Sequence, residues 1–355
     1  MRKIILIVPS LTKGGVERIV SILSKELNKY YDVYVIIYHG PIEYEIEGNL
    51  INLETPSGSL WRKIKNTFYR VMKLKILIKE ISPDYIVSFM GNLQPILTFK
   101  PMIVSIRCNT DFFHFYRKIL LKTIYKLPNV KKIITVSQEI EKKLNNNYNL
   151  KKTKTIYNPI DLKLIKQELL AQKPVDFDYI LGVGRLSRAK GFDILIKAFA
   201  KSDLKSKVKL IILGEGKERK NLEKLMFELG LGGQVLLSGI VDNPFIYMKY
   251  ANFFILPSRY EGFPNVLLEA LACETPVIAT NCKTGPSEII ENEKNGLLIP
   301  VGDEKALKEA MEKLFYNREL YKKLKANSSK SVEKYCIKNI AKDWINLFEE
   351  MHSLR

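Results

Sequence analysis

Short continuous apolar runs alternate with longer stretches in which apolar residues recur every three or four positions, and this rhythm extends through most of the 355 residues. "KIILIVPS" leads into "VERIVSILSKELNK" and then "YDVYVIIYH", with "YIVSF", "MIVSI" and "KIITVS" further on. The short runs are apolar at successive positions, which predicts strands covered on both faces, as in parallel sheets. The 3.6-residue period of the longer stretches predicts amphipathic helices between them. The pattern restarts at "YILGVGR", followed by helix "FDILIKAFA", strand "KLIILG", helix "ERKNLEKLMFELG" and strands "QVLLSG", "ANFFILPS" and "PVIAT". The expected fold is α/β, with two Rossmann-like doubly wound domains.

The boundary is expected in "NPIDLKLIKQELLAQKPVDFD", which is polar, proline-bearing and without a strand pattern. This gives a first domain at 1–160 and a second at 176–330, with 331–355 as a helical tail packing across the junction. In doubly wound sheets ligands bind beyond the carboxyl ends of the strands, so the cleft between the domains is the expected site.

Composition narrows the function. The chain is 46% hydrophobic and carries four cysteines, Cys108, Cys273, Cys282 and Cys336, without CxxC or Cys/His metal spacing. That pattern suits a reduced, cytosolic-type protein with no metal site. No run reaches the ~18 apolar residues of a membrane-spanning helix. The opening "MRKIILIVPSL" imitates a signal peptide, but Pro9 interrupts it and no small-residue cleavage site follows, so it reads as a buried first strand. A formal net charge of +19 favours anionic partners. No zinc-finger, RNP or basic-zipper motif is present, and nucleic acid is not the expected partner.

Three segments carry chemistry. In "SLTKGGVERIV", Gly14 and Gly15 let backbone amides at a helix start approach an anion closely. In "GVGRLSRAKGFDILI", Arg185, Arg188 and Lys190 lie where the helix dipole disfavours cations, which suggests an anionic guest. The third is "RYEGFPNVLLEALACETP". Pro264 suits a helix start and keeps Phe263 out of helical geometry, so Glu261 falls in a loop at a strand's carboxyl end. Glu269 falls in the following helix, ~7–8 Å further along at 1.5 Å per residue. The two acids are therefore not a helical pair, and both border the same cleft. Gly214 and Gly216 in "LGEGKERKNL" lack the third glycine of a dinucleotide loop and read as a turn, and "DFD" at Asp176–Asp178 sits before a strand, where a metal pair is not expected.

These residues carry a resemblance. "RYEGFPNVLLEALACETPVIAT" resembles the E-x7-E signature of the retaining glycosyltransferases of family 4, which have the GT-B architecture. "GVGRLSRAKGFDILIKAF", "SGIVDNPFIYMKYANFFILPS", "TGPSEII" and "NGLLIPVGD" match that family in order and spacing, and "KGGVER" matches its first-domain loop. The resemblance implies a hexosyltransferase using a nucleotide-diphosphate sugar, a UDP-sugar being the expected donor, without cofactor or metal. It implies that Glu269 holds the ribose hydroxyls, and that Glu261 lies by the donor sugar. Arg185 and Lys190 would hold the diphosphate. Gly262, Phe263, Val266 and Leu267, with Gly14 and Gly15, would complete the donor cradle, and Val241 would lie against the base. Many relatives carry a histidine where this chain has Arg107, which would contact a phosphate or the sugar's hydroxyls. His114 is expected to face the acceptor or solvent.

"LWRKIKNTFYRVMKLKILIKEI" and "FFHFYRKILLKTIYKLPNVKK" interleave cations with aromatic and aliphatic residues at helical spacing. That composition suits an anionic membrane surface. With the resemblance it implies a polyprenyl-diphosphate-linked saccharide acceptor, in O-antigen, capsule or similar glycan assembly, and a peripheral place on the cytoplasmic face of the inner membrane. A transferase with a soluble acceptor is an alternative, as is a non-catalytic binder of nucleic acid or anionic surfaces; the joint presence of Arg185, Lys190, Glu261 and Glu269 argues against the latter.

Overall fold

Strands whose side chains are apolar on both faces need a layer of helices above and below, and the chain supplies them in alternation. The computed structural model describes residues 1–55, 60–89, 93–108, 118 and 122–353, the side chains of 60–64 apart. Contacts divide it into two compact units, Met1–Pro159 with Tyr335–Arg355, and Ile160–Lys334.

The first unit holds strands β1 (Lys3–Val8), β2 (Asp32–Ile37), β3 (Asn49–Asn52), β4 (Tyr85–Phe89), β5 (Met102–Ile106), β6 (Val130–Thr135) and β7 (Thr153–Thr155). They form one sheet in the order β3-β2-β1-β4-β5-β6-β7, and every pairing is parallel. The order reverses between β1 and β4, which is the topological switch point of a doubly wound sheet. "YIVSF" and "MIVSI" are buried at all positions, as their composition requires. Helix Gly15–Leu27 buries Ile19, Val20, Leu23 and Leu27 on one face. Gly14 precedes it in extended geometry, with no side-chain cap.

The terminal helix Ile337–Ser353 belongs to this unit and packs on helix Gly15–Leu27. Ile340, Ala341, Trp344, Leu347 and Phe348 recur at helical spacing and enter the core around Phe89 and Tyr85. The Tyr85 and Phe348 rings stack at 4.7 Å, and the Tyr85 hydroxyl donates to the Phe348 carbonyl at 2.8 Å. Glu350 receives Lys132 and Lys154, each at 3.1 Å.

The second unit holds β8 (Tyr179–Val183), β9 (Lys209–Leu213), β10 (Val235–Gly239), β11 (Phe254–Leu256), β12 (Val277–Thr280) and β13 (Leu297–Ile299). Their order is β10-β9-β8-β11-β12-β13, again all parallel, with the switch point between β8 and β11. Helices Phe192–Lys201 and Glu304–Tyr316 pack together over the sheet, joining Phe192, Leu195 and Phe199 with Leu307, Met311 and Leu314. Residues 160–175 join this unit, and helix Leu162–Glu168 packs on helices Pro244–Tyr250 and Asn265–Ala272. No helix among the described residues is long and apolar enough to cross a membrane.

Trp344 is 1% exposed and lies 6.1 Å from the Phe89 ring and 5.9 Å from the Phe348 ring. Trp344→Ala is expected to lower the unfolding free energy of the first unit by about 3–5 kcal/mol, the usual cost of emptying a large aromatic site. Urea denaturation checks this, and a loss below about 1 kcal/mol would mean that the terminal helix contributes little to the core.

Candidate active site

Three loops of the second unit meet at the carboxyl end of its sheet, and they follow β8, β11 and β12. The loop after β8 runs through Gly184 and Arg185 to a short 3-10 turn, Arg188–Lys190. The loop after β11 carries Ser258, Arg259, Glu261 and Gly262 into helix Asn265–Ala272. The pattern places these two loops on either side of the switch point, where the crevice of a doubly wound sheet opens.

Lys190 and Glu261, 71 residues apart, form an ion pair with Nζ to Oε1 at 2.6 Å. Their side chains are mostly buried, at 21% and 10% exposure. The Ser258 hydroxyl donates to the same Oε1 at 2.6 Å, and the Thr284 hydroxyl donates to the Glu261 carbonyl. The stem of Lys190 lies over Gly184, where an added Cβ would come within 3.4 Å of its Cδ and Cε. Arg185 is exposed and has no hydrogen-bond or ion-pair partner among the described residues.

Arg259 ties the two loops together. Its guanidinium donates to both carboxylate oxygens of Asp193, at 2.7 and 2.6 Å, and to the Arg188 carbonyl at 2.9 Å. Its amide donates to the Ala189 carbonyl at 2.7 Å. Burial opposes ionisation of Asp193, but the Arg259 fork outweighs it and holds the carboxyl below its ordinary range. Gly191 (φ +66°) closes the β8 loop against the β11 loop, since a Cβ there would overlap the Pro257 carbonyl oxygen.

The loop after β12 braces the Glu261 loop from below. Thr280 Oγ1 donates to the Ser258 carbonyl at 2.5 Å, and Cys282 Sγ donates to the same carbonyl at 3.1 Å. Burial, with a smaller push from the Glu261 carboxylate, raises the Cys282 thiol to about 11. It is therefore a neutral packing group at physiological pH rather than a nucleophile.

Helix Asn265–Ala272 starts without a side-chain cap, because Pro264 occupies the cap position. First-turn amides, Val266 among them, therefore face the crevice side with no internal acceptor from a capping side chain. Phe263 and Leu267 are buried, Gly262 and Val266 partly so. Glu269 is the fifth helical residue, 7% exposed, and it is a partnered group within the fold. Val241 lies in the partly exposed loop after β10.

The remaining sequence-derived residues are in the first unit. Gly14 and Gly15 begin helix Gly15–Leu27, and the Glu17 carboxylate lies against Gly14 where a Cβ would otherwise stand. Arg107 follows β5 and is buried. A second arginine, Arg70, lies over the Tyr38 ring at 4.7 Å and donates to Thr55 Oγ1 at 2.7 Å. His114 and most of the basic stretch 112–121 fall outside the described residues.

Sequence reasoning did not single out Ser258, Arg259, Asp193, Thr284 or Cys282. Arg259 and Ser258 were visible beside Glu261 in "PSRYEG", but the Asp193 partner of Arg259 and the Thr280 and Cys282 partners of the Ser258 carbonyl are distant in sequence. No spacing rule identifies such contacts.

Two doubly wound parallel sheets, the second with cationic loops at its switch point, define a two-domain α/β protein of GT-B type. Comparison with known proteins makes this specific. Residues 13–164 match the family described as Glycosyltransferase Family 4, and residues 166–331 match Glycosyl transferases group 1. The chain is 31% identical over 362 residues to the N-acetylgalactosamine-N,N'-diacetylbacillosaminyl-diphospho-undecaprenol 4-alpha-N-acetylgalactosaminyltransferase of Campylobacter jejuni, covering 97% of this chain and 98% of that one. It is 34% identical over 151 residues to the lipopolysaccharide core biosynthesis glycosyltransferase LpsE of Rhizobium meliloti, covering 42% and 43% of the two chains. Among solved structures, Anabaena Alr3699/HepE in complex with UDP and glucose superposes with a TM-score of 0.84 at 19% identity, covering 99% of this chain and all of that one. The chain belongs to the glycosyltransferase family that these group 1 and Family 4 domains define.

Gly191 and Gly230 share φ +66°, but an added Cβ at Gly230 meets nothing within 4 Å. Gly230→Ala is expected to cost about 1–2 kcal/mol, the left-handed backbone term alone. Gly191→Ala is expected to cost more and to lower turnover, because the two loops must part. Equal costs in denaturant titrations would mean that the Gly191 contact does not hold the crevice.

Proposed function

We propose that the protein is a retaining hexosyltransferase that moves a hexose or N-acetylhexosamine from a nucleotide-diphosphate sugar, a UDP-sugar, to a polyprenyl-diphosphate-linked saccharide during assembly of a bacterial surface glycan. The observation that carries this reading is the Lys190–Glu261 pair at the β8/β11 switch point, in the same loop as Arg185, which has no partner among the described residues. An ammonium has three donors, so Lys190 can keep Glu261 and still hold a phosphate oxygen. Arg185 is free to take a second oxygen, and amides at the start of helix Asn265–Ala272 favour the same charge. Negative charge develops on the diphosphate as the glycosidic bond breaks, and fixed cations that meet it lower the barrier.

Glu261, oriented by Lys190 and Ser258, opposes the positive charge that grows at the anomeric carbon. Glu269 receives the ribose hydroxyls, Val241 borders the base, and Gly262, Phe263, Val266 and Leu267 shape the sugar and phosphate pocket. In this reading the cations perform the leaving-group role without a metal ion. Transfer is therefore expected to persist in excess EDTA, whereas a loss restored by magnesium or manganese would contradict it.

Glu261→Gln and Lys190→Ala are each expected to lower kcat by about 10²-fold or more, the scale of losing one electrostatic contact to a transition state. Circular dichroism spectra should stay native. Release of UDP from UDP-sugars with a membrane extract as acceptor source is the measurement, and unchanged turnover in both variants would overturn the assignment.

The lipid-linked acceptor is supported by the Campylobacter relative, whose name specifies an undecaprenol-linked substrate, and by helix Leu60–Ile81. That helix buries Leu74, Ile78 and Ile81 but exposes Phe68 (71%), Tyr69, Met72 and Ile76, interleaved with Lys65, Lys73, Lys75 and Lys79. Apolar side chains dipping beneath lipid headgroups, with lysines at the phosphates, match such a face. Wild-type protein is expected to sediment with anionic vesicles at low salt. A Phe68→Ser/Met72→Ser/Ile76→Ser variant should remain in the supernatant, and wild-type protein remaining there too would contradict the membrane reading.

A further inference from the structure

A cavity of about 340 Å³ lies in the first unit at the amino ends of β4, β5 and β6. Doubly wound sheets bind substrate at their carboxyl ends, so this is the opposite end of the sheet from the expected crevice. The volume is within the ~300–1,000 Å³ range of small-molecule sites. Buried Tyr85, Ile86, Met102 and Ile103 line it, together with the partly buried Met351 of the terminal helix. The Tyr85 hydroxyl is already spent on the Phe348 carbonyl, so its ring meets the cavity as an apolar surface. All of these residues belong to the first unit, and the cavity needs nothing from the second.

Three charged side chains share the lining: Asp84, Lys131 and Lys132. Asp84 is committed to the fold, since its Oδ2 accepts from the Lys3 amide at 2.9 Å. Lys132 is paired with Glu350 at 3.1 Å. Lys131 is exposed and has no hydrogen-bond or ion-pair partner among the described residues. Its field falls on another cation, Lys152, whose ammonium donates to the Leu127 and Val130 carbonyls. Burial first, and Lys131 second, hold the Lys152 ammonium below its ordinary range. A small polar ion would leave the apolar wall uncovered, and a neutral apolar molecule would leave Lys131 without a counter-charge. An apolar wall with one open cation at its edge fits an amphiphile with an anionic end.

We propose that this cavity binds a single-chain amphiphilic carboxylate, with its alkyl tail against Tyr85, Met102 and Met351 and its head group at Lys131. Helix Leu60–Ile81, whose Phe68, Met72 and Ile76 are exposed, ends three residues before Asp84, so the most apolar exposed helix of the unit leads to the cavity edge. Tyr85 also stacks on Phe348, and Met351 lies on the same terminal helix, so a bound chain braces that helix against the sheet. The proposal goes beyond the sugar-transfer reading and does not depend on it.

Decanoate, decanol and acetate are titrated calorimetrically into the full chain at low salt. One decanoate per chain is expected to bind, about fivefold more tightly than decanol, the scale of one exposed ion pair, and acetate should not bind. Lys131→Glu should lose the preference for decanoate while keeping decanol binding. Met351→Trp, which puts a larger side chain into the lining, should lose both. The Phe68→Ser/Met72→Ser/Ile76→Ser variant should bind decanoate as the wild type does, because those side chains do not line the cavity. The chain has two tryptophans, Trp61 and Trp344. Trp344 lies 5.9 Å from the Phe348 ring, which stacks on Tyr85 at 4.7 Å. In a Trp61→Phe background, 10-bromodecanoate should therefore quench Trp344 fluorescence at the concentrations at which it binds.

No decanoate binding to the wild type, or equal decanoate affinity in the wild type and Lys131→Glu, would overturn the proposal. So would loss of binding in the triple variant, which would assign the ligand to the exposed helix face, and binding that leaves Trp344 unquenched. If Met351→Trp does not fold, Lys131→Glu, at an exposed position, and the quenching decide the matter. None of these results depends on sugar transfer, so failure of the proposed function would leave them standing.

Discussion

The Lys190–Glu261 ion pair is the interaction around which the second unit's crevice is organised. It joins the loop after β8 to the loop after β11, the two strands between which the sheet order reverses. Neither side chain can move alone without leaving the other's charge poorly compensated in a largely dry place. The pair therefore fixes both loops relative to the strands, and the Arg259–Asp193 fork repeats the connection from the outside. Thr280, Cys282 and Thr284 then pin the Glu261 loop from the next strand over.

This arrangement explains why cations accumulate near a helix start, where the local dipole disfavours them. Arg188 and Lys190 sit in a 3-10 turn ahead of helix Phe192–Lys201, and Gly191 turns the chain between the two. Lys190 is neutralised by Glu261, while Arg185 is not neutralised by any described residue. Positive potential is thus left facing the crevice rather than being cancelled in the loops. The first unit holds its charge differently. Its helix Leu60–Ile81 places lysines and apolar residues together on an exposed face, and Arg107 keeps a cation deep in the fold among neutral groups.

Much of the fold was legible because parallel strands must be apolar on both faces. β1, β4, β5, β8 and β12 stand out in the sequence for that reason. β3 ("NLIN") and β7 ("TKT") were not predicted, since they are short, polar and only partly covered at the edges of their sheet. Helix Leu162–Glu168 lies within the expected boundary segment and packs on helices of the second unit. Glu261 and Lys190 were visible as chemistry-bearing residues, but their pairing was not, because a contact across 71 residues leaves no periodic trace. The same holds for Arg107. Its type and position were readable, while its burial among neutral partners depends on Phe89, Ser105 and Asn158 being brought together by the sheet.

The central claim is that the cations of the β8 loop bind a nucleotide diphosphate. Calorimetric titration of UDP and of uridine into the wild type and an Arg185→Ala/Lys190→Ala variant tests it most directly. The account predicts that the variant loses about 10²-fold or more in affinity for UDP, consistent with two charge-assisted contacts, while uridine binding stays as it was. Equal UDP affinity in the two proteins would contradict it.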